Sequence, residues 1–148
     1  MNLILLFFSL FSPCETELLG HWELHSWTST REDGDQFFPY GEDSFGSLSY
    51  DKDGTMSLIL MKKGRSKKTD EGFFSYSADY TVDCRTHSVY HKVLASSHPD
   101  WIGKTQLRFF MLKGDSLILR SPEIKTAVSE NKPATHRLVW VRKSKSSD

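Results

Sequence analysis

The chain is poor in residues that would staple, break or glycosylate it. Of its 148 residues only 2 are cysteine and 5 are proline. Two cysteines exclude the disulfide frameworks on which very small scaffolds depend. A single domain of this length buries an adequate core without them. Asparagine occurs only at Asn2 and Asn131, and neither begins a glycosylation sequon. Net charge is also missing, since 19 Lys and Arg meet 19 Asp and Glu. Phosphate recognition needs a basic surplus, so no nucleic-acid partner is expected. No apolar run approaches the roughly 18–20 residues that span a bilayer, and no integral membrane insertion is expected. What the chain does have is aromatic mass: Phe 10, Tyr 5 and Trp 4. That load excludes intrinsic disorder. Charge is unevenly spread, with ten acids in residues 15–53 against Arg31 and Lys52, and a basic remainder.

The longest apolar stretch covers residues 3–11 and is interrupted only by Ser9. Two readings of residues 1–14 stand. One is a signal peptide, with Ser12 and Cys14 as small residues before a cut ahead of Glu15, and a secreted or periplasmic product. The other is an apolar N-terminal segment against a cytoplasmic domain. Cleavage would leave Cys84 alone; retention would make a Cys14–Cys84 bridge conceivable, though no spacing rule supports it. Residues 15–142 form the expected domain, and residues 143–148 a polar, fraying tail.

Alternation with period two recurs along the domain and predicts about eight strands with no long helix. Trp22, Leu24 and Ser26 alternate with His21, Glu23, His25 and Trp27. Residues 45–50 and 55–61 flank the turn Asp51-Lys52-Asp53-Gly54 and read as a hairpin. Tyr76 and Tyr80 share a face, His91 lies between Val89 and Val93, and Arg108 shares a face with Phe110. The last strand holds Leu138, Trp140 and Arg142, after a loop at residues 121–133. Eight antiparallel strands suggest an all-β, up-and-down barrel closed on itself, which removes sheet edges and encloses side chains or one small ligand.

Other chemistry is excluded residue by residue. Gly103-Lys104-Thr105 lacks the glycine that a phosphate loop needs at position 98, which is His98. A calcium loop over the Asp51–Gly54 turn would require a carboxylate where Leu60 stands. His21/His25 and His87/His91 are four apart, about 13 Å on a strand and too far to share a metal. No metal and no cofactor are expected. The cluster Lys62, Lys63, Arg65, Lys67 and Lys68 reads as a solvated loop rather than an anion-steering patch.

Gly20-His21-Trp22 opening the first strand, with Trp140-Val141-Arg142 closing the last, resembles the lipocalin arrangement. There the Trp packs at the closed end of the barrel beneath an Arg, a cation–π closure. Further segments, Pro39-Tyr40-Gly41-Glu42-Asp43, Asp53-Gly54-Thr55-Met56-Ser57, Pro99-Asp100-Trp101-Ile102-Gly103 and Gly114-Asp115-Ser116-Leu117, are similar to the small single-domain lipocalin-like proteins, a calycin-type family, over residues 17–142. His25 and Trp27 depart from its usual apolar residues, and residues 62–71 are basic where an acidic helical stretch is typical. The resemblance implies an eight-stranded antiparallel lipocalin-like barrel, with Gly20, Trp22 and Arg142 as structural closure. It implies no catalytic motif.

The expected function is binding of a small hydrophobic or amphipathic molecule inside the barrel by Tyr76, Tyr80, His91, Trp101, Arg108 and Phe110, with Trp101 over the mouth. A buried Arg108 suits a ligand carboxylate or phenolate, unless Asp79 pairs with it. The alternative is an isomerase, cyclase or hydratase with His91 as acid or base beside Tyr76. That alternative requires His91 to titrate near neutrality. A third reading is an accessory protein with a filled barrel. No feature fixes an oligomeric state.

Overall fold

A computed structural model describes residues 13–65 and 71–144. Residues 1–12, which carry most of the apolar leader, lie outside it, as do Lys67, Lys68 and residues 145–148. The alternating segments form antiparallel strands in chain order. A short helix, α1 (Pro13–Leu18), precedes β1 (Gly20–Arg31), β2 (Gln36–Phe37), β3 (Phe45–Tyr50), β4 (Thr55–Met61) and β5 (Phe73–Asp83). Then follow β6 (Ser88–Ser96), β7 (Thr105–Lys113), β8 (Ser116–Arg120), β9 (Ile124–Lys125) and β10 (Pro133–Arg142). Eight of them, β1, β3 to β8 and β10, make an up-and-down meander, and pairing of β1 with β10 closes the barrel. The two-residue strands β2 and β9 extend β1 and β10 at one end. Residues 121–133 are therefore more than a loop. Beyond β9 they contain a 3-10 turn at Ala127–Ser129, in which Thr126 and Ser129 cap each other.

Period two holds along most strands, but β1 breaks it. Its register against β10 slips between Leu24 and Ser26, so His25 is an extra residue in the strand. Such a bulge reverses which residues face inward. Trp22 and Leu24 point into the barrel before it; Trp27 and Ser29 are buried after it. Continued alternation would have put Trp27 outside. Nearby, β1 and β3 come so close that a side chain at Gly46 would have its Cβ 2.6 Å from Leu24 Cβ. Only glycine permits that approach.

One end of the barrel is sealed. Leu18, from α1, is fully buried, and its carbonyl accepts the Trp22 indole N–H at 3.0 Å. The Arg142 guanidinium lies 4.2 Å from the Trp22 ring centroid and donates to Leu19 O and Glu17 O. Gly20, at φ 121°, leaves room for that guanidinium, since a Cβ there would stand 3.1 Å from Arg142 Nη1. Cys14 of α1 is bonded to Cys84, just beyond β5, across Cα atoms 5.9 Å apart and 70 residues of sequence. Among the described residues no helix is long and apolar enough to cross a membrane.

Candidate functional site

The opposite end of the barrel holds a cavity of about 90 Å³. Strands and turns each supply a few side chains. β1 provides Trp27, β4 Leu58 and Leu60, β5 Phe74 and Tyr76, β7 Arg108, and β10 His136 and Leu138. Tyr40, His98, Trp101 and the stretch from Ile124 to Val128 complete the wall at the mouth. The 3-10 turn Pro99–Trp101 sets Trp101 edge-on to Phe74, ring centroids 4.9 Å apart, and 5.7 Å from Tyr76. Trp27 meets Tyr40 edge-on at 5.0 Å. The wall is thus an aromatic box, and Tyr40, His98, Ala127 and Val128 also line a groove outside it.

Beneath the cavity lies a hydrogen-bonded chain. The His91 ring sits between two phenols, with Tyr50 Oη 2.8 Å from Nε2 and Tyr76 Oη 2.8 Å from Nδ1. His91 is fully buried, and burial pushes its pKa down to about 3, with the nearby Arg108 charge acting in the same direction. The imidazole is therefore neutral at ordinary pH. Burial likewise raises both phenols, Tyr50 well above its usual range. A second buried imidazole, His136, is 2.6 Å from Ser29 Oγ through Nδ1 and 3.4 Å from Thr126 Oγ1 through Nε2. Burial first, and Arg108 second, lower its pKa to about 4.

Among the described residues, Arg108 is the one Lys or Arg on the cavity wall, and no Asp or Glu shares that wall. Its Nη1 donates to the carbonyl of its neighbour Leu107 at 2.7 Å, and its guanidinium lies 5.9 Å from the Trp101 ring. The ion pair with Asp79 does not form. Asp79 is exposed, because inward-facing Ala78 and Tyr80 flank it, and it stands opposite Lys92 on β6.

The expected ligand residues therefore divide. Tyr76, Trp101 and Arg108 meet around the cavity. His91 lies behind that wall and reaches the cavity only through Tyr76. Tyr80 belongs to the sealed end, where its hydroxyl donates to Asp51 O and its ring packs on Tyr50. Phe110 is a core residue against the His87 ring. The acid–base alternative needed a histidine titrating near neutrality, and His91 titrates far below it with both nitrogens engaged. Sequence reasoning missed Trp27, Tyr50, Phe74 and His136. His136 carried a readable signal, since it lies two residues before Leu138 on the inward face. Trp27 carried none, because the bulge at His25 hid it. Among the described residues no group of three or more His, Cys, Asp or Glu is arranged to hold a metal.

Comparison with known proteins gives a consistent frame. The sequence model of a family described as a lipocalin-like domain matches residues 19–143. Among solved structures, a lipocalin-like protein from Bacteroides uniformis superposes with a TM-score of 0.50, covering 86% of this chain and 99% of its own, at 15% identity. At that identity the likeness is one of fold. No curated protein matches.

Proposed function

The chain belongs to the lipocalin-like domain family, and on that premise we propose that it binds one small, flat, largely apolar molecule in the cavity at the open end of the barrel. The observation that carries this reading is the wall itself: Trp27, Phe74, Tyr76 and Trp101 around a largely apolar space that opens at the rim. Ligand sites are commonly apolar and aromatic with a few polar groups that fix orientation. Size limits the occupant. Drug-sized sites run to roughly 300–1,000 Å³, whereas an apolar cavity of about 150 Å³ accepts benzene. A space of about 90 Å³ that opens at the rim suits a single ring seated partly in its mouth, or a short branched chain, and excludes a long lipid unless the wall moves.

Native mass spectrometry of protein purified from its own source tests the reading. The expected result is an added mass in the range of a one-ring compound, lost in a Trp101→Ala variant. A clean apo mass, together with no change in tryptophan emission on titration with one-ring compounds, would sink it. The two cavity tryptophans, Trp27 and Trp101, make that emission a direct reporter.

A further inference from the structure

We infer that the occupant carries a carboxylate, received at the inner wall of the cavity by the Arg108 guanidinium and the Tyr76 hydroxyl. This rests on the cavity being a binding site and adds the chemical class of what it binds.

A neutral imidazole has one N–H and one bare nitrogen, so only two arrangements of the Tyr50–His91–Tyr76 chain are possible. In one, Tyr76 donates to Nδ1, Nε2–H donates to Tyr50, and the Tyr50 hydroxyl proton needs another acceptor. Among the described residues His91 is the one hydrogen-bond partner of the Tyr50 hydroxyl, and the Tyr50 side chain is fully buried. An orphaned donor there disfavours this arrangement by roughly tenfold or more. In the other, Tyr50 donates to Nε2 and Nδ1–H donates to Tyr76. The proton left over is then that of Tyr76, whose ring lines the cavity. The buried chain has a direction, and it delivers a donor to the site.

Two further polar groups of the wall have the same sense. Arg108 can only donate, and its hydrogen bond uses one of its five N–H groups. The Trp27 indole N–H is buried without an acceptor, on a ring of the same wall. By contrast, Ser29 and Thr126 engage His136 on both nitrogens. In a space of about 90 Å³, one small molecule reaches all of the wall. A wall that carries one fixed positive charge and, among the described residues, no acid is completed by an anionic acceptor. A planar carboxylate suits the guanidinium fork and accepts from the phenol at the same time.

Isothermal titration with three one-ring probes tests this: benzoate, benzamide and benzylamine. The expected order is benzoate first, benzamide at least tenfold weaker, and benzylamine without measurable binding. Arg108→Gln should bring benzoate down to the level of benzamide, Arg108→Lys should keep part of the preference, and Tyr76→Phe should weaken benzoate about fivefold. Thermal melts establish that each variant is folded. If benzamide binds as tightly as benzoate, or if R108Q leaves their ratio unchanged, the carboxylate assignment falls and the cavity reading survives. If none of the three binds, both fall.

Discussion

At the scale of single residues, the two interior histidines make stability depend on pH. An unfolded histidine takes up a proton as pH drops below about 6.5. Folded His136 resists until about 4, and folded His91 until about 3. Between those values the unfolded chain binds more protons, so the native state loses up to about 1.4 kcal/mol per pH unit for each group. Above pH 7 both are neutral in either state and contribute no slope. Urea midpoints measured from pH 7 to pH 4 should therefore fall more steeply for the native sequence than for His91→Gln/His136→Gln, although that variant is the weaker at pH 7. Equal slopes would mean that neither imidazole is held neutral. The same residues mark how far the sequence could be read. Strand parity and loop position suffice to bring Tyr76, Trp101 and Arg108 to one cavity, because parity holds there. Trp27 was lost to one inserted residue, and Tyr50 was passed over because nothing local announces that a tyrosine at a strand end will face a histidine 41 positions away.

At the scale of elements, a tight constraint is the close approach of β1 and β3 where their pairing ends. Gly46→Ala would place a methyl group within 2.6 Å of Leu24 Cβ. Overpacking of this kind costs roughly 1–3 kcal/mol. We expect chemical denaturation of G46A to show such a loss, and G46A to cost less in a Leu24→Ala background, as contacting residues couple. The strands and hairpins were legible because alternation and the Asp51–Gly54 turn are local signals. The extension of β10 back to Pro133 and the short strand β9 were not, since their pairing comes from the barrel and not from their own composition. The link from α1 to the end of β5 was equally hidden, as two cysteines 70 residues apart carry no spacing rule. Closing a loop of that size typically contributes 2–4 kcal/mol. Cys14→Ser should lower the melting temperature accordingly, and reductant should shift the native protein but not C14S.

At the scale of the whole molecule, the barrel has a sealed end and an open end. Trp22, Arg142, α1 and the disulfide occupy the first. The cavity, the capped turn at Ala127–Ser129 and the rim residue Tyr40 occupy the second. The cavity wall is shared between strands, which supply most of its residues, and rim segments, which supply Tyr40, His98, Trp101 and residues 126–128. The closed barrel could be anticipated from the pattern, and its sealed end from Gly20, Trp22 and Arg142; that α1 and a disulfide reinforce that end could not.

The Cys14–Cys84 bond also gives the molecule a mechanical character. It turns β1 to β5 into one covalent ring, and the first strand of that ring is zipped to β10 outside it. Pulled from its two ends, the oxidised chain can pay out only what lies beyond the ring. Residues inside the ring would carry no load however far the rest extends. Under reductant the same pull should release 70 further residues, a gain in contour length of about 240 Å at roughly 3.4 Å per residue. A force-extension trace recorded with and without reductant would show the ring as a missing half of the chain.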